Sequence, residues 1–132
     1  MLVDTGVLIA FLDRRDPNHQ RCVAAAQQLP NVPLTTTWCC LTEAMYFMGK
    51  IGGFTAQQGL WTLLLSGRIL LRTPTETRMA ELMEKFQDTP MDLADASLVA
   101  LAEELETTQI FTLDNDFYVY RTSRGEAFSC LP

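Results

Sequence analysis

Cations are scarce in this chain, and histidine and long apolar runs are scarcer. Ten Lys and Arg stand against 16 Asp and Glu, for a net charge of −6. A surface of that sign argues against broad electrostatic binding to a polyanion, although a bound metal ion reverses the field locally. The one histidine, His19 in DPNHQR, sits at a polar helix start and reads as a solvated surface residue. The four cysteines form no C-x-x-C pair, and beside a single His they make no zinc set. Cys22, Cys39, Cys40 and Cys130 read instead as reduced thiols of a cytoplasmic protein. Ser97 and Ser123 lie outside any G-x-S-x-G context, which leaves serine-hydrolase chemistry without support. Neither a P-loop nor a G-x-G-x-x-G turn is present, so the usual phosphate cradles are missing too.

No apolar run reaches membrane-span length. The opening MLVDTGVLIAFL has no positive leader and no cleavage site, and Asp4 interrupts it. It reads as a strand and a helix rather than a targeting segment. Repeats, linkers and low-complexity tracts are absent. At 132 residues and 48% apolar, residues 1–132 are expected to form one domain with a real core.

Alternating short strands and helices follow from the pattern. Strands are expected at Met1–Val3, Leu34–Thr37, Arg68–Arg72, Gln109–Leu113 and Ala127–Leu131. Helices are expected at about Val7–Asp13, from Asp16-Pro17 to before Pro30, at Trp38–Met48 and at Thr55–Leu65, with Gly49 and Gly52-Gly53 between the last two. Thr75 is expected to cap a helix to about Phe86, Asp92 to open one ending near Glu106, and Asn115–Tyr120 to form a short helix or turn. This order implies an α/β fold with a parallel sheet, whose sites form at the carboxyl ends of strands.

What the chain does contain is acid in apolar surroundings. Asp4 is the one charge in the first twelve residues, Glu43 the one charge in WCCLTEAMYFM, Asp95 the one charge in LADASLVALA, and Asp114 follows IFTL. Burying a carboxylate costs several kcal/mol unless it is paired or holds a metal. No Lys or Arg lies inside these windows. Oxygen-only donors suit Mg²⁺ or Mn²⁺. Each acid also has a plainer reading: Asp4 as a helix N-cap, Glu43 as a surface residue of an amphipathic helix, Asp95 as partner to the cap Asp92, and Asp114 with Asp116 as turn residues in TLDNDF. Arg121 and Arg124, with Tyr118 and Tyr120, offer contacts to phosphates and bases, though a solvated face is the commoner explanation.

The segments VDTGVLIAFLDRRDPNH, Thr42-Glu43, MDLADASLVALAEEL and IFTLDNDF, in that order and spacing, resemble the PIN domain family, in particular the small VapC-like toxins of bacterial toxin–antitoxin modules. The resemblance spans nearly the whole chain. It implies a three-layer α/β/α sandwich around a central parallel sheet, with metal ligands at Asp4, Glu43, Asp95 and Asp114 and an additional acid at Asp116. Thr5 is then expected to orient Asp4 or a metal-bound water. The implied activity is that of a Mg²⁺- or Mn²⁺-dependent ribonuclease, a hydrolase cutting RNA phosphodiester bonds through a metal-activated water. The implied partners are an RNA substrate, a cognate antitoxin and a second copy in a homodimer. Apolar residues on several faces of Trp38–Met48 and Thr55–Leu65, with Phe47, Phe54 and Trp61, fit such interfaces. The acidic net charge departs from the usual nuclease and points to a narrow substrate or a basic partner. Two alternatives stand beside this reading: a PIN-like protein-interaction module, and a DNA nuclease or phosphatase on a similar acidic site. No RNA-reading motif separates RNA from DNA.

Overall fold

A computed structural model describes residues 1–132. Five strands form one sheet in the order β3-β2-β1-β4-β5, where β1 is Leu2–Val3, β2 Leu34–Thr37, β3 Ile69–Arg72, β4 Gln109–Phe111 and β5 Ser129–Leu131. Every pairing is parallel. Five helices connect them: α1 Thr5–Leu12, α2 His19–Gln27, α3 Trp38–Leu65, α4 Glu76–Lys85 and α5 Leu93–Glu104. No helix is long and apolar enough to cross a membrane.

The alternation of strand side chains divides the core into two halves, one on each face of the sheet. Leu2 and Ile110 point to the face covered by α4 and α5, joining Leu82, Leu98, Leu101, Phe117 and Tyr120. Val3 and Phe111, one residue further along each strand, point to the opposite face and join Val7, Leu8, Leu41 and Leu60 of α1 and α3. Each such buried side chain contributes roughly 1.5–3 kcal/mol. Leu2 pairs with Ile110 and Val3 with Phe111, so the residues that follow, Asp4 and Thr112, emerge side by side. That register decides where the site lies.

Several boundaries differ from the sequence pattern for local reasons. The helix expected from Asp16-Pro17 begins at His19 instead. Asp16 spends its carboxylate on the Asn18 amide at 2.8 Å, closing a turn that competes with helix. His19 is half-buried rather than solvated, its Nδ1 lying 2.7 Å from the Ala10 carbonyl near the end of α1. The helix stretches on either side of Gly49–Gly53 merge into α3, broken at Gly53 alone, where φ is +63°. Glycine tolerates that left-handed value. Gly49 stays helical, and a Cβ there would lie 2.6 Å from the Gln57 amide nitrogen, so its lack of a side chain lets the two arms of α3 close up. Thr75 precedes α4 without a side-chain cap; its amide donates to Glu104 at 3.1 Å. β4 and β5 are each two residues shorter than expected.

Candidate active site

Asp4 stands at the junction of β1 and α1. Its amide donates to the Phe111 carbonyl at 2.9 Å, which extends the β1–β4 pairing by one rung. Its carboxylate is buried: Oδ1 accepts from the Thr5 amide at 2.7 Å, and Oδ2 from the Thr112 hydroxyl at 2.8 Å. The first contact caps α1, so capping and site positions coexist in one residue. Thr112 works in two directions. It donates to Asp4 and accepts from the Asp114 amide at 3.0 Å. Asp114 in turn accepts from the Asp116 amide at 2.9 Å, opening the short 3₁₀ helix Asn115–Tyr118.

Asp95 arrives from the first turn of α5. Asp92 caps that helix by accepting from the Asp95 amide at 2.8 Å, and the Asp95 carboxylate faces back toward the Asp92 amide at 3.5 Å. Tyr120 donates to Asp95 Oδ2 at 3.0 Å from within the core. The helix start is held against the sheet by Ser97. Its hydroxyl donates to the Ala94 carbonyl at 2.7 Å and accepts from Thr37, the last residue of β2, at 2.6 Å.

One carboxylate oxygen each from Asp4, Asp95 and Asp114 lies within 4.8 Å of the others. Asp4 and Asp95 are buried and Asp114 is the most open of the three. No cation of the protein answers them. The ion pairs, Arg15–Asp13, Arg78–Glu81, Arg78–Glu103 and Arg124–Glu106, all lie elsewhere. Burial raises Asp4 to about 6, opposed by the bonds from Thr112 and Thr5 and reinforced by the charges of Asp114 and Glu43. Burial likewise raises Asp95 to about 7, with the charge of Asp92 adding to it and the Tyr120 bond opposing. Two buried acids held within reach of a third, with hard oxygen donors and no counter-charge, fit a hard divalent cation.

The PIN domain model matches residues 1–122. The chain belongs to the PIN domain family. Along its full length it is 26% identical to ribonuclease VapC26 of Mycobacterium tuberculosis, also over that protein's whole length. Its fold matches the crystal structure of VapC20 of Mycobacterium tuberculosis, a sarcin-ricin loop cleaving toxin, with a TM-score of 0.79 at 19% identity, covering 89% of this chain and 92% of that one. A toxin–antitoxin complex from Klebsiella pneumoniae matches with a TM-score of 0.60 at 21% identity and 88% coverage of each chain.

Within this PIN fold the expected acids do not all converge. Glu43 is exposed on α3 and stands apart from the trio, its Oε1 accepting from the Thr5 hydroxyl at 3.1 Å. It is nevertheless raised, by partial burial first and by the charge of Asp92 second. Thr5 therefore steers two acids with two groups: its amide holds Asp4, and its hydroxyl turns toward Glu43. Asp116 lies outside the trio and contributes its amide to Asp114. Tyr120 is fully buried and so is no surface contact for a phosphate; Arg121 donates to the carbonyls of Tyr118, Val119 and Tyr120. Thr112 had no place in the sequence reading of the site, and Tyr120 figured there only as a contact to phosphates or bases, not as a partner of Asp95. Thr112 carried a faint signal, a hydroxyl two residues before a strand-end acid. Tyr120 carried none, because its partner lies 25 residues away.

Proposed function

We propose that this chain is a metal-dependent endoribonuclease of the VapC toxin kind, with Asp4, Asp95 and Asp114 as the metal-holding carboxylates and Glu43 as a fourth acid at the rim. The carrying observation is the meeting of three carboxylates within 4.8 Å, with no protein cation to neutralise them. The full-length similarity to a ribonuclease of the same family supports RNA as the substrate. Residues 1–132 act as a single PIN domain, in keeping with one sheet cored on both faces.

The chain's own groups do the positioning. Thr112 and the Thr5 amide hold both oxygens of Asp4, and Tyr120 holds one oxygen of Asp95, so neither carboxylate swings away from the cluster. Asp4 and Asp95 are buried and Asp114 is the open member, so a phosphodiester meets the cluster on the Asp114 side. When bound, Mg²⁺ or Mn²⁺ supplies charge stabilisation at the scissile phosphate and acidifies a water for in-line attack. No protein nucleophile is required. Thr5 keeps Glu43 turned toward the same mouth, where it can take up or release a proton.

A basic antitoxin and a second copy of the chain are the proposed protein partners, in the cytoplasm. The exposed side chains of Trp38, Tyr46, Phe47, Phe54 and Trp61 along α3 support this, since such patches mark interfaces. A panel of labelled RNAs with matched DNA controls, each with and without Mn²⁺, tests the activity. Cleavage confined to RNA and to metal, and reduced at least about a hundredfold by Asp95→Asn, is the expected result. Unchanged cleavage by Asp95→Asn would remove the assignment.

A further inference from the structure

A small cleft opens beside the carboxylate cluster and shares Asp114 with it. Its other walls include Arg21 from α2, Asn115 and Tyr118 from the 3₁₀ helix, and Thr112 beneath. The cleft is shallow and small, with a volume of about 50 Å³.

Arg21 is the one cation in this wall. It is exposed and makes no ion pair with an Asp or Glu; it donates to the main-chain oxygen of Pro132 at 3.3 Å. An exposed guanidinium at the wall of this cleft is well matched to a phosphate fork. Tyr118 projects at the cleft's edge with 59% of its surface exposed, although aromatic rings usually hide. Its ring offers a stacking face to a base lying outside the cleft. Asn115 is exposed and its amide makes no hydrogen bond within the protein, leaving a donor and an acceptor at the same edge. Of the cations nearest the C-terminal segment, Arg121 is spent on three carbonyls and Arg124 on Glu106.

We infer that this cleft seats the nucleotide next to the scissile phosphate: Arg21 binds its phosphate and Tyr118 stacks its base. The inference rests on the nuclease reading above and adds the strand's course across the protein. The chain passes from the carboxylate cluster over Asp114 toward Arg21. In an acidic protein, this single cation offsets part of the repulsion that the backbone of the RNA meets on arrival.

The test uses Arg21→Gln, Tyr118→Ala and Tyr118→Trp in the full chain, with thermal melts to show that these exposed substitutions leave the fold intact. Cleavage of a fluorescein-labelled single-stranded RNA is measured with Mn²⁺, and its binding by anisotropy in EDTA at low salt. Arg21→Gln should raise KM about tenfold, with kcat affected less, as for a contact equally strong in ground and transition states. The slope of log affinity against log salt should fall in size by about 0.7, the share of one lost phosphate contact on a single strand. Tyr118→Ala should weaken binding by roughly tenfold and Tyr118→Trp should restore it. If the parent cleaves RNA with Mn²⁺ and both Arg21→Gln and Tyr118→Ala match it in KM and in salt slope, the cleft is overturned and the nuclease stands. If the parent neither binds nor cleaves RNA, both readings fall together.

Discussion

Tyr120 and Asp95 are 25 residues apart in the chain and meet inside the core, the phenol hydroxyl donating to Oδ2 at 3.0 Å. The hydroxyl is the main brake on the rise of the Asp95 pKa, and its own pKa is pushed up by burial first and by the Asp95 charge second. The ring belongs to the hydrophobic core, edge-on to Phe86 and Phe117. One side chain thus packs the fold and aims a site carboxylate.

Tyr120→Phe separates those two tasks. The ring stays, so no cavity forms, but Asp95 loses its strongest donor. Stability should drop by roughly 1–2 kcal/mol, the usual cost of a buried acceptor left short of a partner. Mn²⁺ affinity at neutral pH should fall about 10- to 100-fold, as for other outer partners of metal ligands. Isothermal titration and thermal melts check both; a variant with the parent's Mn²⁺ affinity would show that Tyr120 only packs.

The metal-free protein should lose stability as pH rises from 5 to 8. Unfolded, Asp4 and Asp95 titrate near 3.8; folded, they titrate near 6 and 7. Between those values the native state holds protons that the unfolded chain has released, so the unfolding free energy falls with pH until both groups have ionised. Asp13, lowered by its bonds from Arg15, and Glu103, where burial pushes upward but the Arg78 contacts outweigh it, act in the opposite direction but below this window. Melts in EDTA at pH 5 and pH 8 read the slope directly. A higher melting temperature at pH 8 than at pH 5 would mean that burial of the two acids is relieved in solution.

Mn²⁺ should reverse that trend. A cation that binds the folded cluster and not the unfolded chain stabilises by about 2.7 kcal/mol at a hundred times its dissociation constant. The gain should grow from pH 6 to pH 8, because protons compete for Asp4 and Asp95 across that range. It should vanish when Asp4, Asp95 and Asp114 are all changed to Asn. A triple variant that still gains stability from Mn²⁺ would place the metal elsewhere.

Expression of the chain alone in bacteria should arrest growth. Asp4→Asn should abolish the arrest, and the gene product encoded beside the chain should relieve it and co-purify with it. Trp61→Glu, an exposed position on α3, should weaken that co-purification without removing cleavage of RNA. Harmless expression with no co-purifying neighbour would leave a nuclease without an antitoxin.

Local patterning made legible the alternation of strands and helices, the parallel sheet, and the acids that sit oddly in apolar segments. It did so because strand and helix periods and caps are local: Asp4 before α1 and Asp92 before α5 behave as their neighbours dictate. Which acids meet follows from how distant elements pack. Asp4 reaches Asp114 because β1 lies next to β4 in the sheet, and no local pattern specifies a neighbour more than 100 residues away. The same register put Thr112 on Asp4, and the packing of Tyr120 under α5 put its hydroxyl on Asp95. Glu43, as isolated in sequence as the others, was left at the rim because it shares the exposed side of α3 with Thr42, while Cys40, Leu41 and Ala44 take the buried side. An apolar sequence window shows that a charge is unusual; the packing of the elements around it decides whether that charge is buried and what it touches.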